Sequence, residues 1–438
     1  MTHSVKKTHV HLSDVHGYSR LVVEATLGVT SLVEAMHHNI LRVPQPFGQQ
    51  SSAEPTGVHG AVYKVLQGTS GIVYEIVRGI TSGIGCGLDA ALSHLEPELA
   101  HINSSTERAV IVSILNGVLG DHMASRGNPL TITMNFRLGG NVLAISKESL
   151  ASNIPNPQGK ILLMLHGHCM NELQWRRKGH DHGETLAAAN GYTSMYIRYN
   201  SGLHISQNGR ALAERLEELV TNWQVPVEDI SILGYSMGGL VARSALYYGA
   251  EAQHNWVKYA HKLMFVGTPH HGSMVEQAGN FIDLALEVSP YSVALSRLGK
   301  IRSAGTTDLR HGNMIDEDWK GRNRFSHAAD MRIPLPLPRD VKCYAIAAMI
   351  AKEHCDIRGK LFGDGLVPLK SALGHHKDER RDLKFDEGHH KVFYGMSHLG
   401  LLSSGDVCAQ LQEWLREPEQ SVSIDTSRCD QNNDAQRA

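Results

Sequence analysis

The rhythm of apolar and polar residues changes near Pro129. Before it the spacing is helical. Leu21, Ala25, Val29, Leu32, Val33 and Met36 repeat along one face over residues 18–36. A polar, proline-containing link at 44–60 separates them from a second helical region at 71–92, where Ile72, Ile76, Ile80, Ile84, Leu88 and Leu92 stand four apart, as do Gly79, Gly83 and Gly87. A third helix is expected from the capping-box pair Ser104 and Glu107 through the run AVIVSILNGVLG. Small residues four apart are a helix-packing signal in membranes, but Glu75, Arg78, Asp89 and Asp121 interrupt the apolar runs. The expected arrangement is a helical layer packed on the rest of the chain or on a second copy, with lipid contact as the alternative.

Beyond Pro129 the period shortens. Residues 131–137 and 141–145 alternate like two strands joined by Gly139-Gly140, a hairpin signal. Residues 160–165 form a continuous apolar run of the kind found in strands buried on both faces. Further strands are expected at 192–199, 230–233, 261–266, 342–350 and 391–394, and an amphipathic helix at 210–223. Strands alternating with helices predict a mostly parallel sheet covered on both faces. Between Pro269 and Lys342 lie about seventy residues, more than a simple crossover needs. They hold two helix-like runs, FIDLALEV and VALSRLGKI, and end in PLPLP, which reads as a cap or lid. After Trp414 the chain turns polar and rich in Asp, Asn, Gln and Ser. The expected division is an N-terminal helical region (1–130), an α/β domain (131–416) with a cap insertion at about 273–338, and a disordered tail (417–438).

Composition narrows the partners. A 42% hydrophobic and 20% charged content is that of a soluble globular protein, and a net charge of -2 gives no single-sign field for nucleic acid. No apolar core follows the two lysines near the N-terminus, so no secretory signal is read, and no run reaches the roughly 18 uncharged apolar residues of a membrane span. The cysteines at 86, 169, 343, 355, 408 and 429 lack C-x-x-C pairing and read as free thiols. The expected location is therefore the cytoplasm, with peripheral membrane contact through the N-terminal helices and homo-oligomerisation as open partner readings.

One stretch carries chemistry by its spacing. Ile230 to Leu233 is strand-like, Gly234-Tyr235-Ser236-Met237-Gly238 follows, and Leu240, Val241, Ala245 and Leu246 continue as a helix. G-x-S-x-G between a strand and a helix is a nucleophile elbow: a strained turn exposes the serine hydroxyl, and glycines admit backbone close by. Ser236 is the candidate nucleophile. The Met237 N–H, at the helix start, is a candidate oxyanion donor. A serine needs a histidine to take its proton and a carboxylate to orient that histidine, both later in the chain. Asp364, between glycines in LFGDGLVP, is the chosen acid over Asp308, Asp316, Asp340 and Asp356. His398, after the last strand and at the start of the last helical stretch, is the chosen base among 27 histidines. His166-Gly167-His168-Cys169 follows the strand 160–165, so the His168 N–H is the expected second oxyanion donor. His180-Asp181-His182 could contribute to a metal site, but such a site needs three or four converging ligands, and polar loop histidines explain the same residues. No metal and no organic cofactor are expected.

Taken in order, GYSMGG, LMLHGHC, the stretch Phe265-Val266-Gly267-Thr268-Pro269-His270-His271-Gly272-Ser273, GDGLVP and SHLGLL resemble the α/β-hydrolase superfamily. Within it the chain is similar to the esterase/lipase group that includes bacterial lipases and deacylases like GPI inositol-deacylase. The resemblance covers about residues 130–415. It implies the α/β-hydrolase fold, Ser236, Asp364 and His398 as the catalytic set, His168 and Met237 as oxyanion donors, and His270, His271 and Gly272 as residues shaping the substrate pocket. HGHCMN departs from the small or apolar residue common after HG, and the helices before 130 have no counterpart. The function implied is hydrolysis of a carboxylic ester, with a medium or long acyl chain favoured by the apolar cap and helices. A thioesterase or acyltransferase would use the same residues, and a lipid- or partner-binding scaffold is the alternative from another class.

Overall fold

The computed structural model describes residues 14, 16–27, 82, 86, 106–273, 303–322, 330–352 and 363–416. The helix-like runs at 281–288 and 293–301, most of the region at 71–92, the Ser104 cap and the tail lie outside the described residues.

The hairpin β1 (Asn135–Leu138) and β2 (Asn141–Leu143), turned at Gly139-Gly140, forms one edge of an eight-stranded sheet. The remaining strands are β3 (Lys160–Leu165), β4 (Thr193–Arg198), β5 (Asp229–Tyr235), β6 (Ala260–Val266), β7 (Lys342–Met349) and β8 (His390–Tyr394). Their order is β2-β1-β4-β3-β5-β6-β7-β8. β1 pairs antiparallel with β2 and β4, and every pairing from β4 to β8 is parallel. All seven residues of β5 are buried, as a strand covered on both faces requires.

Sequence patterning explains the covering helices. α1 (Thr106–Ser125) is apolar on nearly every side and is buried accordingly. After the short α2 (Lys147–Asn153) and α3 (His182–Asn190), α4 (Ile205–Asn222) buries Ile205, Gly209, Leu212, Ala213, Leu216 and Leu219 at helical spacing. α4 packs on α5 (Met237–Glu251), where a Cβ on Gly209 would lie 2.1 Å from Ser244 Oγ. α4 begins five residues before the periodicity suggests. Its first N–H groups find a tertiary acceptor: the Ile205 N–H donates to Asp308 Oδ2 at 2.9 Å. Between β6 and β7 the described residues hold α6 (Ala304–His311) and the extended stretch through Pro334–Pro338, and the short α7 (Leu369–Ala372) and α8 (Gly405–Arg416) follow. α8 turns Val407, Cys408, Leu411, Trp414 and Leu415 inward.

α1 docks on the carboxyl-end turns of the sheet, as a helical layer on the α/β domain. Val110, Ile114 and Val118 cluster with Cys169. A Cβ on Gly117 would lie 2.3 Å from Cys169 Sγ, and one on Gly120 1.9 Å from Asn200 Oδ1, so both glycines are contact points. Asn116 is spent on backbone: its Nδ2 donates to Leu130 O and its Oδ1 accepts from the Ile132 N–H, each at 2.8 Å. The helical segment at 16–27 lies against α1 through His122–Glu24, and Asp14 pairs with Arg108.

Candidate active site

β3 leads away to β4 on one side and β5 to β6 on the other, so the turns after β3 and β5 emerge side by side at the switch in strand order. Leu165 pairs with Gly234, which brings His166-Gly167-His168 against the elbow.

Ser236 sits at φ 52°, ψ −120°, a left-handed conformation that costs a non-glycine residue about 1–3 kcal/mol. Its neighbours enforce that turn. The Ser236 N–H donates to Val266 O at 2.9 Å, and the Gly239 N–H donates to Ser236 O at 3.2 Å. A Cβ on Gly234 would lie 2.5 Å from Gly239 Cα, and one on Gly238 2.5 Å from Leu165 O. Only glycine fits at either position. The Ser236 Oγ is buried and has no hydrogen-bond partner among the described residues.

Asp364 and His398 are brought together from the ends of β7 and β8. His398 Nδ1 donates to Asp364 Oδ2 at 2.6 Å, and the His398 N–H donates to Asp364 O at 3.0 Å. The other carboxylate oxygen, Oδ1, accepts the Leu366 and Val367 N–H groups at 3.0 and 2.9 Å, which fixes the side chain. Both residues are 2% exposed, so the pair lies away from bulk water. Tyr235 supports the imidazole from below, with ring centroids 4.8 Å apart and its hydroxyl donating to His398 O at 3.1 Å. Burial, and secondarily the Asp364 charge, pushes the Tyr235 phenol well above its ordinary value, so it remains a donor. Gly267, at φ 61°, makes room: a Cβ there would lie 2.9 Å from His398 Cε1.

The other acids weighed from the sequence have structural tasks or stand apart. Asp308 accepts from the Ile205 N–H, His204 Nδ1 and Asn313 Nδ2; Asp316 pairs with Arg210 and Lys320. Asp340 is exposed, and Asp356 lies outside the described residues.

Met237 opens α5, so its N–H has no partner within the helix. The turn after β3 is held through side chains. His166 stacks on Tyr199 at 4.2 Å, and its Nδ1 donates to Gly167 O at 2.8 Å. His168 Nδ1 donates to Ser201 O at 3.2 Å, leaving Nε2 to accept from Thr306 Oγ1 of α6 at 3.1 Å. Ser303 Oγ, 3.0 Å from Thr306 Oγ1, donates in turn to Gly117 O at 2.6 Å. The bulky HGHC turn is thereby accommodated: the His168 ring reaches α6, and Cys169 packs with α1.

His270 and His271 border a crevice beside the turn after β6. His270 lies edge-on to Phe265 with Arg243 at 3.2 Å from its Nδ1, and His271 Nε2 donates to Gly374 O at 2.9 Å. Together with Arg243, Arg332 and Arg381, both histidines line a crevice whose walls include neither Ser236 nor His398. Gly272, at φ 92°, turns the chain past Arg310 O. Sequence reasoning missed Gly267, Tyr235 and Thr306 as supports of the site. Gly267 lay within the quoted motif, whereas Thr306 carried no local signal.

Burial pushes His166, His168 and His271 down to about 4, so each is neutral in the folded protein at pH 7. The unfolded chain binds protons at these histidines from about pH 6.5 downward, while the folded chain resists them to about pH 4. Their contribution to stability is thus complete above about pH 6.5 and is lost as pH falls toward about 4. A melting temperature that declines steadily over that window is the expected result; a flat profile from pH 7 to 4.5 would contradict it.

A sheet in this order, with a serine turn after β5, a carboxylate after β7 and an imidazole after β8, has the arrangement of the α/β-hydrolase fold. Residues 156–333 match the family described as the PGAP1-like alpha/beta domain. Among solved structures the chain is similar to the mature lipase BlEst2 of Bacillus licheniformis, at 19% identity over 59% of this chain and 93% of that one, with a TM-score of 0.37. It is also similar to a lipase-esterase related protein of Clostridium acetobutylicum, at 13% identity over 65% and 98% of the two chains, with a TM-score of 0.33. A third similar structure is YbtT, a type II thioesterase of the yersiniabactin pathway, at 13% identity over 60% and 91%, with a TM-score of 0.36. No curated protein matches the chain in sequence. Among the described residues no helix is long and apolar enough to cross a membrane.

Proposed function

We propose that this α/β-hydrolase cleaves carboxylic esters through an acyl-enzyme on Ser236. The observation that carries the reading is the His398–Asp364 pair, buried and joined at 2.6 Å at the strand ends beside the strained Ser236 turn. His398 Nε2 takes the hydroxyl proton as Ser236 Oγ bonds to the acyl carbon. Asp364 holds the other ring nitrogen protonated and offsets the imidazolium charge. The backbone N–H groups of Met237 and His168 receive the oxyanion. Collapse breaks the bond to the alkoxy oxygen, which leaves with the proton from His398. Water, deprotonated by the same imidazole, then releases the acid. No step needs a metal or an organic cofactor.

The reading extends to a substrate class through what surrounds the turn after β3. Val110, Ile114 and Val118 of α1 make an apolar wall against Cys169, which favours a medium or long acyl chain over a polar one. Such substrates are lipid-like, and contact of residues 1–130 with a membrane surface belongs to the same reading. The test is the initial rate on p-nitrophenyl esters of two to sixteen carbons, with acyl-CoA thioesters in parallel. A Ser236-dependent optimum at eight carbons or more supports the proposal. An optimum at two carbons contradicts the chain-length assignment, and faster thioester cleavage would make the protein a thioesterase.

A further inference from the structure

Away from Ser236, three metal-binding side chains converge from separate segments. His180 closes a tight turn with Arg177, His182 begins α3, and Cys408 lies on the inward face of α8. One ligand atom from each lies within 4.8 Å of the others, and His180 Nε2 is 2.8 Å from His182 Nδ1.

His182 is oriented as a ligand. Its Nε2 lies 2.8 Å from Leu401 O, and because a carbonyl only accepts, that nitrogen carries the proton. In the neutral ring Nδ1 then presents its lone pair to the cluster. A metal-binding histidine typically donates its other N–H to a carbonyl or carboxylate in this way. The ring is fully buried, with Trp175 against it at 6.3 Å between centroids. His180 is half-buried and opens a path to solvent, whereas the Cys408 thiol is buried. Asp181, between the two histidines, is committed elsewhere: its Oδ1 accepts from Tyr196 Oη at 2.6 Å and from the Glu184 N–H at 3.2 Å.

We propose that His180, His182 and Cys408 bind a borderline-soft divalent cation of the zinc class, forming a structural site that ties α3 to α8 and to the turn carrying His398. Two imidazoles and a thiolate suit zinc far better than magnesium or calcium, which take oxygen ligands. Metal–ligand bonds of about 2.0–2.3 Å in a tetrahedral arrangement put the donor atoms about 3.3–3.6 Å apart. His180 and His182 must therefore separate by about half an ångström, and the widest pair must close by about 1 Å, movements within reach of side-chain rotation. Binding exchanges the Cys408 S–H bond for an S–metal bond and releases that proton to solvent. The proton now on His180 Nε2 moves to its Nδ1, freeing Nε2 for the metal. Water completes the fourth position. The link to catalysis runs through Leu401, whose carbonyl His182 holds and whose side chain would meet a Cβ on Gly267 alongside the His398 ring.

The test is Co²⁺ titration of the full-length, chelator-treated protein, read by absorption and independent of hydrolysis. The expected result is a thiolate-to-cobalt charge-transfer band with tetrahedral ligand-field bands that saturates at one equivalent and is abolished by Zn²⁺. The band should vanish in Cys408→Ser and survive in Cys86→Ser. Loss of an outer-shell partner already weakens metal binding about 10–100-fold, so His180→Ala should weaken Zn²⁺ binding by more than 100-fold. Absence of the band in the folded wild type, its persistence in Cys408→Ser, its loss in Cys86→Ser, or wild-type Zn²⁺ affinity in His180→Ala would each overturn the site.

Discussion

Ser236→Ala is expected to lower kcat on the preferred ester by about 10⁴–10⁶-fold while leaving KM within a few-fold. The substitution removes only the hydroxyl oxygen. The backbone that shapes the turn stays, because the Ser236 N–H still donates to Val266 O and Gly234 and Gly238 still admit their neighbours. Substrate should bind, and the oxyanion donors should still act on it. The loss should therefore appear almost wholly in the chemical step, with the melting temperature unchanged and no acyl-enzyme in the mass spectrum after mixing with a slow substrate. Residual activity above one per cent of the wild type would place the nucleophile elsewhere.

The second large effect is expected for Asp364→Asn, about 10³–10⁴-fold in kcat. The argument is one of tautomers. Asp364 Oδ1 is claimed by the Leu366 and Val367 N–H groups, so an asparagine would turn its oxygen to them and its NH₂ toward His398 Nδ1. Facing a donor, His398 would carry its proton on Nε2, where it cannot accept one from Ser236. The fold should hold, because the two backbone bonds survive; circular dichroism and melting would verify this. A decrease below tenfold would mean that the 2.6 Å contact serves packing and that another acid orients the base.

The sheet was legible because most of its strands are runs of apolar residues long enough to span a layer, several of them bounded by glycine. Lys160–Leu165 is bounded as expected, and strands 192–199 and 342–350 differ by a residue at one or both ends. The 131–137 strand is shorter: pairing starts only at Asn135, where β4 offers a partner, and β2 stops at Leu143. The elbow was legible for a different reason. A left-handed serine between two glycines is a local requirement, and local requirements leave local traces. The tertiary connections left no such trace. That the side chain of His168 reaches Thr306, or that Gly117 rests on Cys169, depends on residues brought together from 138 and 52 positions away. The same limit applies to His270 and His271. Their motif identifies a turn after β6, but only packing against Arg243 and Gly374 determines which way the rings point.

The family match begins at residue 156, and the catalytic-type turns all lie beyond it. A fragment trimmed to that boundary would nevertheless lack the wall on which the turn after β3 leans. Removing α1 would bare Cys169 and leave two donors, Asn200 Nδ2 and Ser303 Oγ, without their acceptors Gly120 O and Gly117 O. It would also expose the apolar faces of its neighbours, at about 1.5–3 kcal/mol for each large side chain uncovered. A fragment cut at residue 156 is therefore expected not to hold the turn after β3 in place, whereas one that starts at or before Thr106 is expected to keep it.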